Sequence, residues 1–536
     1  MTFNKTYFLA LIASFSFALT GCEDLDMLPE GDEVTSSQKE EVVENDPSKA
    51  EAGVNSIFAQ FSQYAPNEDA LGSVRHNDFG YPAIMMFTDA NGYDVVSEDN
   101  GYNWTGNSLD YSDRSKSSRE GQITWNNMYA IINMTNNVIG SINEEVEDPT
   151  SQFYLGQGLA TRAFSYWVLA QLYQFNYVGN EAAPCVPIIT NENAGVAALE
   201  GAARSSVKEV YDLITSDIDK AIIFLSAAKE QGINRKDKRY IDLAVAYGLR
   251  ARINLTMQNW SEAAADASKA IELSDATPAG LEDVNKPSFW AVDEDNWMWG
   301  IIIAETDRVV TSGIVNWISH MGSLNSGYSS YAGGKQVNIQ LFESIPASDV
   351  RKGWWIDENL SSPNLNAEQA KAMEDYGYAA YTQVKFAPYQ NIVKNSTNAN
   401  DVPLMRIEEM YLIKAEAEAM SGANGKATLE DFIQTYRNPD YVCTATSPED
   451  IQEEVFNQRR IELWGEGLNW FDVMRLNKGV DRRGAGYPNA TMVFNIPAKD
   501  ANLLWPIPEA EIQANPALTN ADNNPTGTTP QPVADL

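Results

Sequence analysis

Trp260-Ser261-Glu262-Ala263-Ala264-Ala265-Asp266-Ala267-Ser268-Lys269-Ala270-Ile271-Glu272-Leu273 reads as a helix that places small side chains where another helix must touch it. Ala263 and Ala270 recur at helical spacing, and Ala251 offers a matching small residue on the segment ahead. Small residues at such points let two helices approach closely, so residues 240–275 are expected to form one helical hairpin.

Other pairs flank it. Segments 121–143 with 151–177, and 404–420 with 427–437, repeat the two-helix pattern. The whole resembles a divergent array of tetratricopeptide units. Phe153, Gln157, Ala160, Phe164, Trp167, Gln171 and Phe175 step by three or four, while Leu155, Leu159, Tyr166, Leu169 and Tyr173 fill the other side, which predicts a helix buried nearly all round. Ser206 with Glu209 makes a capping box ahead of Val207, Tyr211, Ile214, Ile218, Ile222 and Leu225. Ser447 followed by Pro448 is an N-cap with proline at the first helical position. The expected fold is mainly α, with repeats over roughly 47–280 and 400–480. Between them, 281–400 reads as a loop-rich insert with few strands; Trp297 to Ile303 is one strand candidate.

The termini differ from this body. Asn4 and Lys5 precede an apolar run, Phe8 to Leu19, too short to cross a bilayer, and Leu19-Thr20-Gly21-Cys22 ends it. This resembles a lipoprotein processing site, implying removal of residues 1–21, acylation of Cys22 and membrane contact through lipid alone. Glu23, Asp24 and Asp26 resemble the surface-export tag of some Gram-negative outer-membrane lipoproteins. Residues 22–46 are expected to be an acidic flexible tether, 47–520 one domain, and 521–536 a loose tail.

The 536 residues carry 38 Lys and Arg against 74 Asp and Glu, a formal charge of -36. That repels phosphate backbones, so nucleic acid is excluded as a partner. Besides Cys22, only Cys185 and Cys443 occur, and their spacing leaves bonded and merely buried states both open.

Catalytic marks are missing. The only histidines are His76 and His320, too few for a histidine-rich metal site. No G-x-S-x-G elbow, P-loop, G-x-G-x-x-G turn or C-x-x-C pair occurs, and no catalytic residue, metal or cofactor is expected. Asp89-Ala90-Asn91-Gly92-Tyr93-Asp94 has glycine fourth rather than sixth, so it reads as a turn and not an EF-hand loop.

Aromatic side chains in polar loops are the alternative to catalysis. A sugar ring presents an apolar C–H face and a rim of hydroxyls, which flat aromatics and amides complement. Tyr102, Asn103 and Trp104 with Asn107 form one candidate cluster, and Trp317, His320, Asn325, Tyr328 and Tyr331 the other.

The C-terminal third adds three blocks in order: Arg406-Ile407-Glu408-Glu409-Met410-Tyr411-Leu412-Ile413-Lys414-Ala415-Glu416-Ala417, then Gln458-Arg459-Arg460-Ile461-Glu462-Leu463-Trp464-Gly465-Glu466-Gly467-Leu468-Asn469-Trp470-Phe471-Asp472-Val473-Met474-Arg475, then Leu504-Trp505-Pro506-Ile507-Pro508 with Glu511, Ile512, Asn515 and Pro516. Together with Trp125 to Tyr129, Asn136 to Ile139, Arg162 to Phe164 and Pro184 to Pro187, they resemble the SusD/RagB family. Gln458 and Asn469 depart from it, standing where the family usually has Glu and Arg. The resemblance implies a tetratricopeptide-like body and a ligand face built from loops near 76–110 and 290–390. It also implies a SusC-like TonB-dependent transporter as partner, which receives captured oligosaccharide, or peptide in the RagB branch. A scaffold binding only the transporter is a further alternative. Glu462 and Glu466 sit one turn apart, and Arg459, Arg460 and Arg475 are expected to pair with them or with Asp472 as scaffold.

Overall fold

The computed structural model describes residues 36–63, 76–312 and 315–536. The signal segment, Cys22 and the first part of the tether lie outside the described residues. The principal helices are α1 (Ser36–Asn45), α2 (Ala50–Gln60), α3 (Tyr81–Asn91), α4 (Arg119–Ile139), α5 (Pro149–Tyr173), α6 (Val207–Glu230), α7 (Leu243–Met257), α8 (Trp260–Leu273), α9 (Ile407–Met420), α10 (Gly425–Tyr436), α11 (Pro448–Glu462) and α12 (Asn469–Arg475). The predicted hairpin is α7–α8, and Ala251, Ala263, Ala267 and Ala270 are all fully buried in it. Expected caps form as well: Glu209 N donates to Ser206 Oγ while Ser206 N donates back to Glu209, and Ser447 Oγ accepts from Asp450 N.

Successive helices from α4 to α8 pack on their neighbours, and α8 then packs on α9. The array therefore continues across a gap of more than a hundred residues, and the insert leaves and re-enters between α8 and α9. Its two ends are joined by strands β2 (Trp297–Ile301) and β4 (Val402–Arg406), which pair antiparallel. β4 occupies the start of the segment read as helical from 404; Arg406 in extended conformation is the residue from which α9 starts. Close contact recurs at α9–α10, where a Cβ on Gly425 would stand 2.0 Å from Ala415 O. Two further antiparallel pairs complete the strands: β1 (Val95–Val96) with β3 (Gln336–Val337), and β5 (Val480–Asp481) with β6 (Asn495–Ile496).

Both ends of the domain are more ordered than their composition suggests. Residues 36–45 of the expected tether are helical, because Val43 has an apolar site to fill and joins the main core. The expected loose tail is held by Asn524, whose Nδ2 donates to Tyr173 O at 2.8 Å and to Trp505 O at 2.9 Å. Tyr173 ends α5, so its carbonyl lacks a helical donor and the tail supplies one. Val533 N also donates to Val493 O. Cys185 and Cys443 are both free and buried, which settles the alternatives left open by their spacing.

The C-terminal blocks build a buried ionic network in which Asp472 takes the arginines expected of it while Glu462 and Glu466 take others. Glu462 bonds Arg351, Arg406 and Arg437; Glu466 bonds Arg406 and Lys385. Arg459 and Arg475 share Asp472, as expected, with Arg475 also on Glu416, whereas Arg460 reaches Asp94. Glu462 faces inward on α11 while Arg460 faces away, so tertiary packing overrides proximity in sequence. The two departures from the family pattern are accommodated: Gln458 Oε1 accepts from Arg351, and Asn469 Nδ2 donates to Asp94.

Candidate functional site

The two aromatic clusters, more than two hundred residues apart, meet because of the β1–β3 pair. Val95 pairs with Val337 and Val96 with Gln336, antiparallel. Chain leaving β1 after Val96 therefore runs beside chain entering β3 before Gln336, which is where the clusters lie. Each strand has only two residues, so nothing periodic in the sequence announces the pairing.

On the first side, Asn100 shapes the loop: its Oδ1 accepts from Tyr102 N at 3.0 Å, its backbone carbonyl accepts from Asn103 N, and Tyr102 projects outward. On the second, helix Tyr328–Ala332 lies against helix Trp317–Met321. A Cβ on Gly327 would stand 2.8 Å from Ser319 Cα, so that approach requires glycine. Tyr102 and Tyr331 are 54% and 59% exposed, and their ring centroids lie 5.4 Å apart. They form an outward shelf. Tyr376 is half-buried, and the Lys394 ammonium sits 5.4 Å from its ring centroid.

Behind the shelf runs a line of rings. Trp104 lies 4.8 Å from His76, His76 5.6 Å from Tyr328, Tyr328 4.8 Å from His320, and His320 5.5 Å from Phe79, all between centroids. The Tyr328 hydroxyl is bonded to His76 Nδ1, and His320 Nε2 lies 3.1 Å from His76 O. Since that oxygen only accepts, Nε2 carries the proton. Burial, then the neighbouring Lys335, pushes His320 down to about 3, so it stays neutral. Both histidines of the chain thus belong to one stack. The sequence carries no sign of this, because 244 positions separate them.

Of the nine candidate residues, Tyr102 and Tyr331 face solvent, Trp104 is half-buried beside them, and Tyr328 joins them to the interior. Asn107 is exposed at the rim, its Nδ2 3.2 Å from both Glu120 oxygens. The other four are corrected to interior roles. Trp317 is 1% exposed and packs edge-on against Phe386, filling core volume. His320 is the buried centre of the stack. Asn325 Nδ2 donates to Ile318 O and Asn398 Oδ1, tying loops together. Asn103 is also buried: its Nδ2 bonds Ser97 Oγ and Glu98 O, and its Oδ1 accepts from Thr105 and Lys335. Irregular loops leave backbone groups without ladder partners, and asparagines supply them from inside.

The phrase Asp89 to Asp94 is committed to the protein itself. Asp89 Oδ2 accepts from Gly467 N, while Asp94 bonds Arg460 and Asn469. Among the described residues, no group of three His, Cys, Asp or Glu is arranged to hold a metal ion. A separate cleft of about 560 Å³ opens beside Phe289, Trp290 and Trp354 and reaches down to Arg406, Glu408, Arg437 and Glu462.

Family models cover both halves of the chain. The SusD family matches residues 319–526, and a model described as starch-binding associating with outer membrane matches 47–255. The chain belongs to the SusD family. SusD-like protein P38 of Formosa agariphila is 24% identical over 435 residues, 74% of this chain and 78% of that protein. A SusD-like carbohydrate binding protein from Bacteroides vulgatus superposes with a TM-score of 0.73 at 23% identity, over 89% of this chain and 97% of its own. A SusD superfamily protein from Bacteroides thetaiotaomicron gives 0.67 at 22%, over 89% and 99%. At such identities the solved structures speak to the SusD fold, a helical array carrying an irregular insert.

Proposed function

We propose that this SusD-family chain is a non-catalytic, oligosaccharide-binding lipoprotein of the outer membrane. It is anchored through Cys22, faces outward, and passes ligand to a SusC-like TonB-dependent transporter. The observation that carries the reading is the Tyr102–Tyr331 shelf: two adjoining exposed rings, with half-buried Trp104 on the same loop as Tyr102. Rings cost little conformational entropy to hold still and offer a flat apolar face to sugar C–H groups. Tyrosine hydroxyls, Asn107, Asp375 and Lys394 supply polar contacts around them, with Lys394 bonded to Asp375 at 2.6 Å. A carbohydrate ligand also agrees with the description of the model matching residues 47–255 and with the printed name of the B. vulgatus neighbour. No described helix is long and apolar enough to cross a membrane. An anchor at Cys22 would meet that condition.

A glycan array followed by calorimetry on the full mature chain tests the reading, with unstructured peptides as a parallel set. Binding of oligosaccharide supports it. Binding of peptide alone transfers the shelf to a RagB-like role, and binding of neither, with a barrel protein co-purifying, leaves a transporter scaffold. Mass spectrometry of the protein from membranes tests acylation at Cys22.

A further inference from the structure

Lys335 occupies the rung beyond the β1–β3 pair, opposite Ser97, and it is 3% exposed. It arrives there through Gly333 and Gly334, at φ of 86° and 82°. A Cβ on Gly334 would lie 2.9 Å from both Thr382 and Tyr378, so the turn has room for glycine only. From this turn the side chain reaches the first cluster. Nζ lies 2.9 Å from Asn103 Oδ1, 3.3 Å from Ser97 Oγ and 3.4 Å from Thr105 Oγ1.

The arrangement is unusual for a buried lysine. Lys385, equally buried, has the Glu466 carboxylate at 2.6 Å and two carbonyls besides. Lys335 has three neutral oxygens, and among the described residues no carboxylate lies in salt-bridge reach of it. An unpaired buried ammonium is costly, so the site must use what the ammonium alone provides. That is its donor count. An ammonium donates to all three oxygens, whereas the neutral amine donates to two and keeps the third contact only by turning the Ser97 hydroxyl into the donor, since Thr105 already donates to Asn103 Oδ1. All three acceptors belong to the loop 97–105 that presents Tyr102 and Trp104, while the lysine belongs to the segment that presents Tyr328 and Tyr331.

We propose that Lys335 is a positioning residue of the aromatic shelf: its ammonium ties the 97–105 loop to the 328–337 segment, and loss of its proton slackens the tie. The consequence for ligand binding rests on the shelf being the binding site; the tie itself does not. Burial pushes Lys335 down to about 7, which places the change near neutral pH. Other titratable groups surround it. His320, held neutral, and His76 lie on the stack side, and Tyr378 packs on the Gly333–Gly334 turn. The Glu98 carboxylate lies against Gly333, and Asp99 follows on the same loop.

Hydrogen exchange of the full mature chain, read by mass spectrometry and corrected for intrinsic rates, tests the tie without any ligand. Protection of amides in 97–106 is expected to fall about tenfold between pH 6 and pH 9 while α5 is unchanged. Lys335→Met is expected to show the low protection at both values. Constant protection in the wild type overturns the proposal, as does a wild-type pH response in Lys335→Met. Should that variant not fold, the wild-type comparison decides alone. Because no sugar enters the experiment, absence of glycan binding would refute the functional reading and leave this result standing.

Discussion

The rings of Tyr102 and Tyr331 lie 5.4 Å apart and tilted by 35°, each residue more than half exposed, a contact between two segments that the β1–β3 pairing brings together. Tyr102→Ala and Tyr331→Ala are each expected to weaken oligosaccharide binding about tenfold, on the order of 1–1.5 kcal/mol, with little change in melting temperature. Calorimetry beside circular dichroism checks both halves of the statement. Full affinity in both variants would remove the shelf as the binding site.

Trp104 and Trp317 separate the shelf from the core. Trp104→Ala, at a half-buried ring beside His76, is expected to lower affinity while the fold persists. Trp317→Ala leaves a cavity against Phe386 and should cost about 3–5 kcal/mol of stability. Denaturant midpoints distinguish them, and equal midpoints would contradict the placement of Trp317.

Arg406 is the hub of the buried ionic network, with Nε on Glu466 Oε2 at 2.9 Å, Nη2 on Glu466 Oε1 at 2.8 Å and Nη1 on Glu462 at 3.1 Å. Arg406→Met removes a partner from three buried carboxylates, Glu408, Glu462 and Glu466, so a loss of roughly 3–5 kcal/mol or failure to fold is expected. A near-normal denaturation curve would show that Arg351, Arg437 and Lys385 suffice to neutralise Glu462 and Glu466.

His320 makes stability depend on pH in one direction. Its folded value, about 3, lies below the ordinary 6.5, so the fold favours the neutral ring. The contribution is complete above pH 6.5 and is lost as pH falls toward 3, by at most about 1.4 kcal/mol per unit. Urea titrations at pH 7, 6 and 5 should show this slope, and His320→Gln should reduce it. An unchanged slope in the variant would assign the acid sensitivity to other groups.

Asp89 works in the opposite sense. Burial pushes its carboxyl up to about 8, although Gly467 N–H donates to it. The folded state therefore prefers the protonated acid, and this stabilisation, complete below about pH 4, is lost as pH rises toward 8. Asp89→Asn keeps an acceptor for Gly467 and carries no charge. It is expected to be more stable than the wild type at pH 8, with the difference closing toward pH 4. A variant less stable at every pH would mean that the ionised carboxylate is needed.

Local rules made the helical body legible. Alanines at helical spacing in 260–273, the Ser206–Glu209 box and Ser447-Pro448 act within a few residues, and the helices stand where that chemistry puts them. The signature blocks were equally readable as scaffold, but their ion pairs only in part: Asp472 takes Arg459 and Arg475 as expected, while Glu462 finds partners on three distant segments and ignores the arginines beside it. The candidate loops were found by composition, which counts aromatics without knowing which way they point. Burial then divided them: Tyr102 and Tyr331 outward, Asn103, Trp317, His320 and Asn325 inward. That division, and the meeting of the two clusters, depends on a pair of two-residue strands whose energy comes from contacts far apart in sequence. So the chain by itself determined the array, its caps and the regions that carry the aromatics. Only the tertiary structure decided which rings form a surface and that Lys335 lies beneath them, since burial and pairing are properties of the packed chain.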